Sequence, residues 1–399
     1  MATATLDELV RTKKIIVCVG SGGVGKTTTS AAIALKGAEL GLKVCVLTID
    51  PAKRLANSMG LRALGNSESR ISKERLETAG IQAGEGQLWA MMLDTKRTWD
   101  DLVGRFAPDE AARDRILANH YYQQISGALA GSQEFMAMEK LYELHESGKY
   151  DLIVLDTPPT RHALDFLDAP KKMIGLMDES VIKLFLNPSL KAGKFGLGLL
   201  TSSTAWIFKG LEKVTGFEVL RDISDFVGSF SGMYAGFQAR AAKVEALLRD
   251  DVSSFLLVTS PNPMTVDEAI YFHGKLGEYD LPFGGFVVNR VHGDPLEEYG
   301  AKAEWKRMRK EPAQILAALG ATAKGKAAEE SARILAEKMA ENMEHLQALS
   351  EMDAEQIVRL KKECAGKHLW RQVPFFELDV HDLSGLSRVN HHLFETPEG

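Results

Sequence analysis

The sequence predicts an α/β fold, a mostly parallel sheet flanked by helices, with a large α-helical insertion. Three observations carry this expectation. Short β-branched runs alternate with Ala- and Leu-rich stretches at helical spacing, the rhythm of βαβ units. The first run, Lys13 to Val19, passes through a glycine-rich turn directly into a helix-forming run, Thr28 to Leu40. Two later runs end in an acid, Asp50 and Asp156, and a parallel sheet presents its ligands at such strand ends.

The turn after the first strand is the most informative stretch. Within Cys18 to Thr28, Gly20-x-x-x-x-Gly25-Lys26-Thr27 satisfies the Walker A pattern, so the fold expected is a P-loop NTPase sheet. Gly22, Gly23, Val24 and Gly25 let backbone N–H groups point inward at phosphate oxygens, and the following helix turns its positive end toward the same anion. Lys26 would reach the β- and γ-phosphates of ATP, Thr27 would ligate Mg²⁺, and Thr28 continues the cradle. A rival reading exists, because Gly20 to Gly25 also fits G-x-G-x-x-G, with Asp50 near a ribose-binding position. The Lys26-Thr27 pair separates the two, having a role in triphosphate binding and none in dinucleotide binding.

The remaining elements follow in order. Gly41 breaks the first helix, and Leu42 to Ile49 is a strand ending in Asp50-Pro51-Ala52. Asp50 is a good N-cap before a proline at the first helical position, and a carboxylate there is also placed to orient an attacking water. Gly60 to Gly86 reads as loop with short helix, and Leu88 to Leu93 as a strand. Thr95 to Ser147 reads as helices broken near Pro108 and around Gly127 to Gly131. Tyr150 to Leu155 is a strand closed by Asp156, the place for a Walker B acid holding magnesium directly or through water. The Thr157-Pro158-Pro159-Thr160 turn is stiff enough to aim that acid. Ile223, Phe226, Phe230, Met233, Phe237, Ala241, Val244 and Leu248 recur at spacings of three and four, marking an amphipathic helix. Its apolar face serves either the core of the insertion or a partner. Ser254 to Thr259 and Phe283 to Asn289 resume the sheet, and the Asn289 amide at a strand end is placed to read a base. Pro295 to Lys362 reads as helical, with Leu335, Met339, Met343, Leu346 and Leu349 as a core-facing stripe. His368 to Phe376 is a last strand, and the tail to Gly399 is short and mixed. The chain is thus read as one domain over 1–399, with 95–147 and 163–250 as helical insertions forming a subdomain.

Composition narrows the function. The chain has 399 residues, 45% hydrophobic and 26% charged, as in ordinary globular proteins. A net charge of −6 argues against a nucleic-acid-binding role, which needs clustered Lys and Arg. Met1 to Val10 lacks a signal-peptide pattern and no apolar run of membrane-spanning length is present, so a cytoplasmic location is expected, with membrane contact at most peripheral and through a partner. The three cysteines, Cys18, Cys45 and Cys364, are scattered without a C-x-x-C and read as buried small hydrophobes.

Together, Gly22 to Thr28, Asp50-Pro51-Ala52 and Asp156-Thr157-Pro158-Pro159-Thr160 resemble the ArsA family of ATPases, which includes the arsenite-pump ATPase and the targeting factor for tail-anchored membrane proteins, within the larger deviant Walker A class of MinD and ParA. The resemblance implies ATP hydrolysis with Mg²⁺, in which Asp50 orients the hydrolytic water and Asp156 senses the γ-phosphate through the metal. It implies a dimer that closes around ATP, adenine contacts at Asn289 and the Val373-Pro374-Phe375 segment, and a protein client on the 163–250 insertion. Two departures stand out. The signature lysine of the class, five residues before Lys26, is Ser21 here, and loss of a cation of this type costs on the order of 10³ to 10⁵ in rate. Lys53, Arg54 or Arg161 would have to replace it, or a paralogous partner carrying the lysine would supply it in a heterodimer instead of a homodimer. Otherwise the chain is an ATP-binding scaffold with little hydrolysis. The scattered cysteines also lack the converging thiolates of arsenite activation, which weakens the alternative of an arsenite or anion efflux pump subunit.

Overall fold

The computed structural model describes residues 5–49, 54–61, 64–125, 132–158, 234–294 and 326–395. Its centre is β1 (Ile15–Val19), paired in parallel with β5 (Leu152–Asp156) on one side and β6 (Ser253–Thr259) on the other. Beyond β5 lie β2 (Lys43–Thr48), β4 (Gln87–Met92) and the edge strand β3 (Ser69–Arg70), which alone runs antiparallel. Beyond β6 lie β7 (Phe283–Val291) and β8 (Leu369–Pro374), giving the order β3-β4-β2-β5-β1-β6-β7-β8. The mostly parallel P-loop NTPase sheet expected from the sequence is therefore the one observed.

The strands are apolar throughout because both faces of the sheet are covered. Alternation along β1 sends Ile15, Val17 and Val19 into one core and Ile16 and Cys18 into the other. The second core is closed by α1 (Leu6–Thr12), α2 (Lys26–Glu39), α3 (Arg54–Ser58), α4 (Lys73–Thr78) and α12 (Leu383–Phe394). The first is closed by α5 (Thr95–Phe106), α6 (Glu110–Ala118), α7 (His120–Ile125), α8 (Ser132–Glu146), α9 (Tyr234–Arg249), α10 (Pro263–Glu278) and the carboxyl end of α11 (Lys326–Glu363). Each fully buried Val, Leu or Ile contributes about 1.5–3 kcal/mol, so strands and helices together hold the sheet by burial.

Several helix boundaries have local causes. Asp94 and Asp109 cap α5 and α6 by accepting from Arg97 N and Ala112 N, so the break expected near Pro108 is a capped restart. A further break, not anticipated, falls at Asn119, whose Oδ1 accepts from Tyr122 N. The tail read as short and mixed contains α12, capped by Asp382, and the interval between Thr259 and Phe283 holds α10, capped by Asn262 with Pro263 next to it. The stretch read as loop with short helix adds β3 to α4. Of the helical text from Pro295, residues 295–325 lie outside the described residues, as does the predicted insertion from 163 to 233. The later positions of its amphipathic stripe, Ala241, Val244 and Leu248, are buried on α9.

One expectation fails. Leu335, Met339, Leu346 and Leu349 were read as core-facing, yet on α11 they are between 37% and 45% exposed, and Met343 is half-buried. Among its described side chains it is the carboxyl part of this 38-residue helix, through Ile357 and Leu360, that packs into the sheet core. Helical periodicity identifies an apolar face but not what covers it. The three cysteines are buried as expected. Burial pushes the Cys18 and Cys45 thiols up to about 12, so both stay protonated and inert at neutral pH. No helix among the described residues is long and apolar enough to cross a membrane.

The helical layer is tied together by a charge. Glu139 of α8, 1% exposed, accepts from Arg240 Nε of α9 at 2.8 and 2.9 Å, with Arg105 of α5 at 3.4 Å. Arg240 also lies 4.0 Å over the Tyr142 ring. Burial raises the Glu139 carboxyl pKa more than the guanidiniums lower it, so desolvation dominates and the pair fixes which helices meet rather than adding much stability. Removing one partner strands the other charge. Glu139→Ala is expected to cost about 3–5 kcal/mol in urea unfolding; a loss below 1 kcal/mol would show that Arg240 finds water or another acceptor.

Candidate functional site

The phosphate loop runs from the tip of β1 to the start of α2, and its shape depends on glycine. Gly25 has φ 98°, and a Cβ there would stand 2.1 Å from Asn289 Nδ2; at Gly20 (φ 148°) a Cβ would stand 2.0 Å from the Val258 carbonyl oxygen. The loop is therefore pressed against the tips of β6 and β7, with its N–H groups at the start of a 14-residue helix. Such a cradle fits a phosphate chain and leaves no room for bulkier residues at those two positions.

Lys26 is 6% exposed, and its Nζ donates to the carbonyl oxygens of Gly20 at 2.9 Å and Ser21 at 2.7 Å. Thr27 Oγ1 donates to Asp156 Oδ2 at 2.7 Å, and Thr48 Oγ1 donates to the same oxygen at 2.8 Å. The junction follows from parallel register, since Thr48 and Cys18 on the flanking strands pair with Asp156. Thr157 Oγ1 donates to the Cys18 carbonyl at 2.8 Å, fixing the chain just past the acid. Thr27 and Asp156 thus offer hard oxygen donors side by side, the donor set that magnesium prefers. Thr48 was not anticipated; its only sequence signal is a hydroxyl at a strand end.

A cavity of ≈ 550 Å³ opens beside the loop, lined by Gly23, Gly25, Lys26, Thr27 and Thr28 on one side and by Asn289, Arg290, Pro374 and the 375–381 segment on the other. That volume suits a small-molecule ligand. Asn289 Nδ2 donates to the Val24 carbonyl at 2.8 Å, so the expected base-reading amide also braces the loop. Phe375 stacks on His292 (5.0 Å between centroids, 23° between planes), and His292 Nδ1 and backbone N each lie 2.8 Å from Asp353 Oδ2 on α11. Arg290 stands at a break in the β7–β8 register with φ 63°, a conformation rare for a long side chain, and bulges of this kind re-aim side chains beside sites. Among the cations considered as replacements for the absent lysine, Arg54 lines the cavity, while Lys53 and Arg161 lie outside the described residues. Asp50 lies outside them too; the strand that leads to it ends at Thr48, and the Ile49 carbonyl accepts from Gln133 Nε2 of α8 at 3.0 Å.

Asp156 is fully buried and Thr48 is 1% exposed, so the hydroxyl matters to the carboxylate it holds. Thr48→Val, equal in shape but without the donor, is expected to lower stability by about 1–3 kcal/mol, with Thr48→Ser restoring most of it in denaturant titration. Equal midpoints for the valine variant and the parent protein would show that the hydroxyl does not support Asp156.

Comparison with known proteins agrees with this geometry. The sequence profile of the anion-transporting ATPase family matches residues 13–316, which includes the phosphate loop, Asp50, Asp156 and Asn289. ATPase ARSA2 of Chlamydomonas reinhardtii is 25% identical over 73% of this chain and 72% of its own length. ATPase GET3A of Arabidopsis thaliana is 27% identical over 73% and 70%, and a putative arsenical pump-driving ATPase of Aquifex aeolicus is 28% identical over 70% and 63%. With three quarters of its length matched by the profile and its phosphate loop, acidic strand tip and cavity side by side, the chain belongs to the anion-transporting (ArsA-type) ATPase family and is an ATPase.

Proposed function

We propose that the chain is a magnesium-dependent ATP switch whose nucleotide state is passed to a protein partner. The observation that carries this reading is the bond between Thr27 of the phosphate loop and Asp156 of β5, which brings a nucleotide cradle and a strand-tip acid to one point. Thr27 and Asp156 would hold the Mg²⁺, whose chemistry is to neutralise charge on the phosphates. Lys26 moves from the loop carbonyls onto the β- and γ-phosphates, and the loop N–H groups from Gly22 to Thr28 hold the remaining oxygens. Asp50 orients the hydrolytic water, while Asn289 and Pro374 bound the base. ATP closes a dimer, either of two copies or with a paralogue that carries the missing lysine. The helical segments 95–147 and 163–250 form the subdomain that meets a client, in the cytoplasm.

The role of energising an arsenite pump is favoured by the name of the Aquifex aeolicus relative, a putative arsenical pump-driving ATPase. The burial of all three cysteines speaks against it, because metalloid activation needs accessible thiolates on one site.

Two substitutions separate binding from turnover. Lys26→Ala is expected to weaken ATP binding by 10-fold or more, on the order of a lost charge-assisted contact, as read by calorimetry; unchanged affinity would remove the loop from nucleotide binding. Asp50→Asn should leave ATP affinity within about twofold while phosphate release falls by roughly 10²-fold or more, and a parental rate would exclude Asp50 from the chemistry.

A further inference from the structure

We propose that Glu268 is a positioning residue of the phosphate loop, whose negative charge holds Lys26 at the loop crown and opposes the entry of a triphosphate. The inference deepens the nucleotide reading and rests on it. Ser21, the residue at the signature-lysine position, is 8% exposed, and its hydroxyl donates to Glu268 Oε2 on α10, 247 residues further along the chain. The backbone carbonyl of the same serine accepts from Lys26 Nζ at 2.7 Å. One residue therefore has a carboxylate on its side chain and an ammonium on its backbone. Opposite charges so arranged favour the lysine where it is, bonded to the Gly20 and Ser21 carbonyls instead of extended over the cavity.

Glu268 is well placed to act in this way. Asn262 caps α10 by accepting from Met264 N at 3.0 Å, and Val266 and Ala269, on either side of Glu268 in sequence, are buried. The backbone under the carboxylate is thus held by the core. Among the described residues no Lys, Arg or His lies within ion-pairing distance of Glu268, while the adjacent Asp267 is paired with Arg359 of α11. Among the described residues its charge thus faces the loop, with Lys26 across Ser21 as the cation it acts on. A lysine at position 21 would neutralise this carboxylate; a serine binds it and leaves the charge in place. The loop crown of this chain consequently carries a carboxylate that offsets the Lys26 ammonium where a phosphate chain must arrive, and ATP, with one phosphoryl group more than ADP, meets the larger opposition.

Glu268→Gln keeps an oxygen acceptor for Ser21 and removes the charge, so the full-length variant tests the charge itself. Calorimetric titration with Mg·ATP and Mg·ADP is expected to show ATP binding tightened by about 5- to 30-fold, the range for a unit charge roughly 8 to 17 Å away at an effective dielectric near 20. ADP should gain less, and the gain should shrink as salt is raised. In steady state the KM for ATP should fall more than kcat changes. Ser21→Ala, which breaks the hydrogen bond and leaves the carboxylate, should tighten ATP binding less than Glu268→Gln does. Unchanged or weaker ATP binding by a folded Glu268→Gln protein, or an equal gain for ATP and ADP, would overturn the proposal. A parent protein that fails to bind Mg·ATP would instead defeat the nucleotide reading, and the inference with it.

Discussion

The shared carboxylate oxygen of Asp156 is the interaction on which the geometry of the site depends. A carboxyl group without solvent is costly to bury, and two threonine hydroxyls, from the phosphate loop and from β2, converge on one of its oxygens. The same bonds also fix the relative positions of three adjacent strand tips. Loop, strand-tip acid and the chain leading to Asp50 are thereby set by one junction, and a shift of any strand along its neighbour would break it. The register of β1, β2 and β5 is therefore a functional constraint as well as a structural one.

Around that junction the sheet is organised by burial on both faces. Helices α1, α2 and α12 form one cover and the α5–α10 group the other, and the strand tips meet the cavity beside the loop. The second cover is joined by the buried Glu139–Arg240 pair, in which loss of either partner strands the other charge. Its helix α8 also reaches the end of β2, where Gln133 donates to the Ile49 carbonyl. The helical layer and the strand that leads to Asp50 are thus in direct contact. On the opposite side α11 meets the cavity wall through Asp353, His292 and Phe375. Any ligand seated between the loop and Phe375 would therefore press on elements that extend well away from it.

The electrostatics of the loop distinguish this chain from what its motifs alone suggest. A cation is expected at position 21 in the class it resembles, and the structure has a serine bonded to a carboxylate there. Arg54 and Arg290 line the cavity, while at the crown the Glu268 carboxylate is bonded to Ser21, whose carbonyl holds the Lys26 ammonium. Charge distribution of this kind acts through the field at the ligand, which is felt most strongly where water is excluded.

Local patterns in the sequence determined the strand order of chemistry along the chain: an apolar run, a glycine turn with Lys26 and Thr27, and acids closing two later runs. These were legible because a phosphate cradle is built from consecutive backbone groups, and because a strand buried on both faces must be apolar from end to end. Thr48, Glu268 and Arg290 were not legible, since their importance lies in contacts with residues far away in sequence or in a backbone angle that no composition signals. The stripe on α11 was misread for the same reason: periodicity describes one helix, whereas burial depends on what another part of the chain brings against it. Only the tertiary structure decided which hydroxyls hold Asp156 and which acid sits on Ser21, because register and long-range packing, not local propensity, bring those atoms within reach of one another.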